Sequence, residues 1–310
     1  MSAPVPSLAR PLLSLLTAAV CAVAVWLLAR AAVGTASGQR LDQLILSGAE
    51  AHQGRLSTYA ELAVGSVSTP VIAGILALTV MLVLLRRRPT TLFPLGVLVL
   101  GANLTTQVIK HVLVTREALG PGIEITPNSF PSGHTTLAAT AMVALVLATG
   151  RARVVLAPLG VLWTLAAGVG TLVVGWHRPS DVVGAIGVAA AWTCLVLALD
   201  GLHTRHRARR EAATGRRRSL ARRAPGSPRT AADLVVALLL GVAGVAGLAY
   251  GAMQLAGLGL PLDLADTAQQ LEAFRATAAV IGGSTAAWMA LVLGLRTPGV
   301  PETAMPERVP

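Results

Sequence analysis

Apolar residues along this chain are gathered into long runs, and polar residues into the shorter intervals between them. Eight runs approach the roughly 20 apolar residues that a helix needs to cross the hydrocarbon core of a bilayer. They are Pro11–Ala32, Pro70–Leu85, Thr91–Val114, His134–Thr149, Val154–Val174, Ser180–Leu199, Ala232–Leu255 and Ala276–Leu295. The second and fourth are short and must borrow flanking residues to span. The pattern predicts an all-α fold, a polytopic transmembrane helix bundle. Within the long interval Val33–Thr69, Leu41, Leu44 and Ile45 recur at helical spacing, which predicts a short helix lying on the membrane surface.

Composition agrees with the pattern. Hydrophobic residues make up 54% of the 310 and charged residues 13%, where a soluble domain carries about 25% charged residues. Mean hydropathy is +0.68. Cys21 and Cys194 both lie inside apolar runs, which fits small core residues better than a disulfide framework. No Cys/His cluster has zinc-site spacing, so no metal or cofactor is expected.

The net charge of +11 does not point to nucleic acid, because the basic residues cluster between the apolar runs. Arg86, Arg87 and Arg88 form one cluster, Arg151 and Arg153 a second, and ten arginines crowd Arg205–Arg229. Alternation of eight spans puts all three clusters on one side, which their charge marks as cytoplasmic, with both termini. The opposite loops carry the acids Asp42, Glu50, Glu61, Glu117, Glu124, Asp263, Asp266 and Glu272. The expected location is therefore the cell membrane, as a multi-pass protein.

Gly215, Pro225, Gly226 and Pro228 make the last basic cluster read as a linker, residues 204–229. It separates a six-helix core, residues 1–203, from a two-helix extension with a short cytoplasmic tail, residues 230–310. Arg205–Arg229 serves either as a topology signal or as a contact for anionic lipid headgroups. Arg10 and the triplet Ala29, Arg30, Ala31 resemble the flanks of a signal peptide, but the run between them is long for one and favours a retained helix.

Ionisable residues in membrane segments are costly, about 2.5 to 3.5 kcal/mol at the centre on insertion scales, and usually functional. Three clusters stand out. Asn103, Gln107, Lys110 and Val114 recur on one face of the third predicted helix, and Lys110 is the only lysine in the chain; that face should look into the bundle, although Lys110 could also be an interfacial snorkelling residue. Pro131, Ser132, Gly133 and His134 open the fourth helix. Ser132 suits an N-cap, Gly133 permits close approach to the backbone, and the free N–H groups of a helix N-terminus attract anions. Gly175, Trp176, His177, Arg178, Pro179, Ser180 and Asp181 open the sixth. His177 and Asp181 are four residues apart, so the carboxylate could bond one ring nitrogen and leave the other as nucleophile. Each cluster alone also has an ordinary reading, a snorkelling lysine for the first and a helix cap for the other two, but the arginine-derived topology places all three at one membrane surface.

Lys110 with Arg116, the Pro131-Ser132-Gly133-His134 element, and His177 with Asp181 together resemble the three-part signature of the type-2 phosphatidic acid phosphatase family, whose fold is similar to that of the vanadium haloperoxidases. The resemblance covers roughly residues 70–200 and leaves the last two helices without a counterpart. It implies a metal-independent membrane lipid phosphatase acting on a phosphomonoester or pyrophosphate of a lipid at the outer face. His177 would form a phosphohistidine, Asp181 would orient it, and His134 would act as general acid. Lys110, Arg116, Ser132 and the Gly133 backbone would hold the phosphate. Candidate substrates are phosphatidic acid, phosphatidylglycerol phosphate and polyprenyl diphosphate.

Two departures matter. Arg116 follows Lys110 one residue closer than usual, with Glu117 where the family places proline. Gly170 and Thr171 stand where the third motif carries serine and arginine. Arg178 is the candidate to replace that arginine. Without a replacement, the chain would be a weakened or inactive relative that binds headgroups or scaffolds a complex. A transporter with Lys110 and the histidines as a relay, and a metal hydrolase using His134, His177 and Asp181 as ligands, are further alternatives. The sequence does not specify oligomeric state.

Overall fold

The computed structural model describes residues 7–123, 128–214 and 229–297, and among these it is entirely helical outside the loops. Ten α-helices follow in order: α1 (Ala9–Leu28), α2 (Ala36–Glu50), α3 (Gln53–Gly65), α4 (Thr69–Leu85), α5 (Leu92–Val108), α6 (Gly133–Ala148), α7 (Arg153–Val173), α8 (Pro179–Thr214), α9 (Ala231–Ala256) and α10 (Thr267–Leu295). Single π-helical turns extend α1 over Ala29–Val33 and α5 over Ile109–Leu113. Each of the eight apolar runs is a helix.

Six helical segments are long and apolar enough to cross a bilayer by themselves. The two short runs reach the same end differently. α4 has 17 residues and is joined to α3 at a 50° bend, and the pair together meets the length requirement. Ser66, at the bend, accepts a hydrogen bond from the Trp163 indole of α7 at 2.7 Å, so the break lies against protein. α6 has 16 residues, most of them buried, and is surrounded by α4, α5, α7 and α8. It is the central helix of the bundle, shielded by its neighbours.

The predicted surface helix exists as α2, but it does not lie on lipid. Leu44 and Ile45 are buried against Leu258 and Ala273, with Leu41 packed at the margin. At Gly48 a Cβ would stand 2.1 Å from the Gln270 carbonyl oxygen of α10. The apolar face of α2 is covered by protein, and this packing carries Asp42 and Gln39 into the interior.

The main core joins Val143, Val161, Val182 and Ile186 to Ile281, Trp288, Met289 and Val292 of α10. The last helix therefore shares one core with α6, α7 and α8. α9 packs onto α10 through small residues: Gly244, Gly247 and Gly251 meet the backbone of Ala276, Ala279, Gly283 and Ala287, the close approach typical of membrane helix pairs. Rows of exposed apolar residues run along α1 (Leu12, Leu16, Val20, Val23, Leu27) and α9 (Leu234, Leu238, Val242, Val245). Such rows are too large for a water-facing surface and fit hydrocarbon.

α8 continues in helical form through the basic residues His203–Arg210, well past Leu199. The first part of the predicted linker is thus helix, and its remainder, 215–228, lies outside the described residues.

Candidate active site

The alternation of the spans brings the end of α5, the start of α6, the end of α7 and the start of α8 to one end of the bundle, where α2 closes over them. α5 stops because its chain loosens into the π turn and then becomes extended at Val114 (φ −123°, ψ 119°). The side chain of Asn128 donates to the carbonyls of Lys110 and Val114 at 2.9 and 2.7 Å, satisfying groups left open there. Lys110 is half-buried at this corner and within electrostatic reach of His134.

The predicted polar face of α5 divides. Asn103 donates to Thr140 Oγ1 at 3.3 Å and Thr106 pairs with Thr136 at 3.0 Å, both into the bundle. Gln107 is exposed and bonds His111. Its amide still reaches the site mouth, 3.5 Å from where a Cβ on Gly133 would stand.

Ser132 is the N-cap of α6, fully buried, its Oγ accepting from the Thr135 amide at 3.3 Å and from the Thr135 hydroxyl at 3.0 Å. Its own amide donates to the Asp181 carbonyl at 2.9 Å, locking the second motif to the third. His134 stands two residues after the cap, its ring centroid 6.4 Å from that of His177 and 6.3 Å from the Trp176 ring.

His177 sits in the α7–α8 loop. Gly175 turns the chain with φ +73°, a conformation glycine adopts without strain. The amides of Trp176 and His177 then both donate to the Thr171 carbonyl, at 3.0 and 3.3 Å. His177 Nδ1 lies 3.5 Å from Asp181 Oδ2, within ion-pair range but outside hydrogen-bond geometry. Asp181 is fully buried. Its Oδ2 accepts from Ser129 Oγ at 2.5 Å and from the Arg178 amide at 2.9 Å. A carboxylate fixed from two sides can hold the imidazole in a set orientation.

Arg116 leaves the extended segment after α5 and buries its guanidinium between two acids, Nη2 at 3.1 Å from Asp42 Oδ2 and Nη1 at 4.0 Å from Asp181 Oδ1. Asp42 also accepts from the Ser180 amide at 3.2 Å and the Ser180 hydroxyl at 2.5 Å. Burial, reinforced by the nearby Asp181 carboxylate, pushes the Asp42 pKa up to about 6 despite the Ser180 and Arg116 contacts. Asp42 is the residue that sequence reasoning missed. It appeared only among the acids of the first outer loop, and nothing along the chain linked it to Arg116 or Ser180, which lie 74 and 138 residues away.

The departures in the third motif have a local setting. At Gly170 a Cβ would stand 3.1 Å from the Ala60 carbonyl oxygen, so α3 passes too close for a larger residue to fit easily. Thr171 is buried and turns its hydroxyl back to the Gly168 carbonyl. Arg178 is buried at 6% exposure beside His177. Among the described residues no three His, Cys, Asp or Glu side chains are grouped to hold a metal ion.

All eight candidate residues lie at this end of the bundle. The model of the PAP2 superfamily matches residues 91–205, the stretch from the start of α5 into α8 that contains all three motifs. No curated protein and no solved structure matches the chain. Over residues 91–205 the chain is thus similar to the PAP2 superfamily, which supports the resemblance to the type-2 phosphatidic acid phosphatase family.

Proposed function

We propose that this protein is a membrane lipid phosphatase that cleaves a phosphomonoester or pyrophosphate through a phosphohistidine. The observation that carries the reading is His177 held against buried Asp181 with a second histidine, His134, facing it across 6.4 Å between ring centroids. The nitrogen of His177 remote from Asp181 attacks phosphorus. The P–O bond to the leaving group breaks as His134 gives its proton to the departing oxygen. Water, deprotonated by His134, then attacks the phosphohistidine, releasing inorganic phosphate and restoring His177. The charge that builds on the phosphoryl oxygens is met by Lys110, Arg116, Arg178 and the N–H groups at the start of α6, with Ser132 fixing that terminus. This set of fixed donors performs the electrostatic work without a metal.

A substrate whose tail stays in the bilayer suits a site at the end of a helix bundle. The arginine clusters Arg86–Arg88 and Arg151–Arg153 lie at the opposite end, which supports an extracytoplasmic site and cytoplasmic termini. Residues 1–203 would carry the chemistry, with α9 and α10 as a buttress.

A headgroup-binding relative without turnover is the second reading, favoured by one observation: Arg116 is already engaged by two carboxylates, while positions 170 and 171 carry no charge. One assay separates the two. Phosphate release from a panel of lipid phosphates is measured in detergent with EDTA present, for wild type and His177→Ala. Release that the substitution abolishes is expected. Binding of the lipids without release by wild type would establish the second reading, and release lost to EDTA would establish a metal hydrolase.

A further inference from the structure

The end of the bundle opposite the histidines holds a cavity of about 90 Å³. α5, 17 residues long, separates the two ends by roughly 25 Å, at about 1.5 Å per residue. The cavity belongs to no motif of the phosphatase site.

Its polar wall is made of Arg86, Arg88, Arg153 and Arg296, with Asp200 as the one acid lining it. Arg153 and Arg296 share a second acid, Asp233, at 2.7 and 3.1 Å. Four guanidinium groups thus face two carboxylates. Arg86 and Arg88 have no ion pair among the described residues. Arg86 lies over Gly150, its Nη1 2.7 Å from where a Cβ would be, so the glycine makes room for it. Burial and Arg86 lower the Arg88 pKa, and burial with Arg153 brings Arg296 down to about 10. The remaining wall is mostly apolar, with Pro94, Leu95, Leu147, Val196 and Leu197, and includes Thr91, Thr149 and Thr297.

We propose that this cavity binds the phosphate of an anionic phospholipid from the adjoining leaflet. The phosphate oxygens sit between Arg86 and Arg88, and the start of an acyl chain lies along Pro94, Leu95 and Leu147. Guanidinium groups match phosphate oxygens in pairs, and an apolar wall beside them selects a lipid over a soluble anion. The site is independent of turnover at His177.

The test uses the full-length protein in detergent and measures thermal-stability shifts and bound lipid by native mass spectrometry. Phosphatidylglycerol, phosphatidylcholine and inorganic phosphate are titrated against wild type and the Arg86→Ala/Arg88→Ala double variant. Neither residue belongs to the phosphatase site, so phosphate release by the variant reports that it is folded. Phosphatidylglycerol should bind wild type and stabilise it, phosphatidylcholine should not, and the double variant should bind about thirtyfold more weakly, given about 1 kcal/mol per interfacial arginine. Equal binding of phosphatidylglycerol by variant and wild type would overturn the proposal. So would equal binding of phosphatidylcholine, or a stability shift reproduced by inorganic phosphate alone.

Discussion

The two ends of this bundle are both built from buried arginine and aspartate, and they solve opposite problems. At the histidine end, one arginine is shared between two aspartates: Arg116 contacts Asp42 and Asp181. At the other end, one aspartate is shared between two arginines: Asp233 contacts Arg153 and Arg296. The first arrangement leaves the acids of the trio in excess of its one cation. The second leaves positive charge beside a cavity. A buried ion pair seldom adds net stability over an apolar pair, because desolvating both charges offsets their attraction. What each trio sets is the sign of its own surplus, and in the proposed mechanism the attraction of an anion to the histidine end falls to Lys110, Arg178 and the N–H groups at the start of α6.

The strongest way to break this comparison is at His177. His177→Ala should lower phosphate release by roughly 10⁴-fold or more, since a nucleophile has no substitute in a two-step transfer. His134→Ala should cost about 10²- to 10⁴-fold, the range for a general acid, and less for substrates with good leaving groups. A comparable rate loss for both types of substrate would remove His134 from the acid role. Neither substitution should change the melting temperature by much, because both rings sit at the periphery of the core.

Asp233→Ala should show the reverse profile. Removing the shared carboxylate takes away the ion pairs that Arg153 and Arg296 make with Asp233 in a buried site, at a cost of about 3–5 kcal/mol. Chemical denaturation in detergent would read this directly. Specific activity of the folded fraction should survive, because the histidine site is roughly a bundle length away. An Asp233→Ala variant with normal stability would mean that solvent reaches both arginines and that the trio is not a buried unit.

Much of this architecture is legible along the chain. Hydrophobic runs locate all eight principal helices, and the three motifs fall together at one end of the bundle, because runs and motifs are local. The failures are tertiary. Leu41, Leu44 and Ile45 carry the same helical spacing whether the helix lies on lipid or on α10, and only the position of Leu258 and Ala273 decides. The polar face of α5 was phased for an unbroken helix, and Gln107 ends on the exposed side next to a π turn that periodicity does not announce. Gly170 reads as a lost serine until α3 is seen passing it.

Arg178 tests whether the missing third-motif arginine has been replaced. Arg178→Ala should reduce kcat by about 10²- to 10³-fold, the usual loss for one transition-state donor in a protected site. Because the residue is buried, stability must be measured alongside. Arg178→Lys sharpens the reading: lysine keeps the charge but cannot bind two oxygens in parallel, so activity should recover only in part. Unchanged turnover in Arg178→Ala would leave Lys110 and Arg116 as the phosphate-binding cations.

Asp42 offers the smallest and most selective effect. Its pKa is raised to about 6 from 3.8, so the folded protein holds this proton over a range in which the unfolded chain has released it. A raised carboxyl contributes stability that is present below about pH 4 and is lost as pH rises through about 6. Thermal stability of wild type should therefore fall across that window relative to Asp42→Asn, which can keep the contact with Ser180 and has no proton to lose. Activity should move with it. Below pH 6 the protonated Asp42 loosens its hold on Arg116 and frees the guanidinium for phosphate; above pH 6 the ion pair competes with substrate. KM should rise with pH in wild type and stay flatter in Asp42→Asn, with kcat less affected. Parallel KM profiles for the two proteins would show that Arg116 stays with Asp181 throughout and that the shared-arginine arrangement has no part in substrate binding.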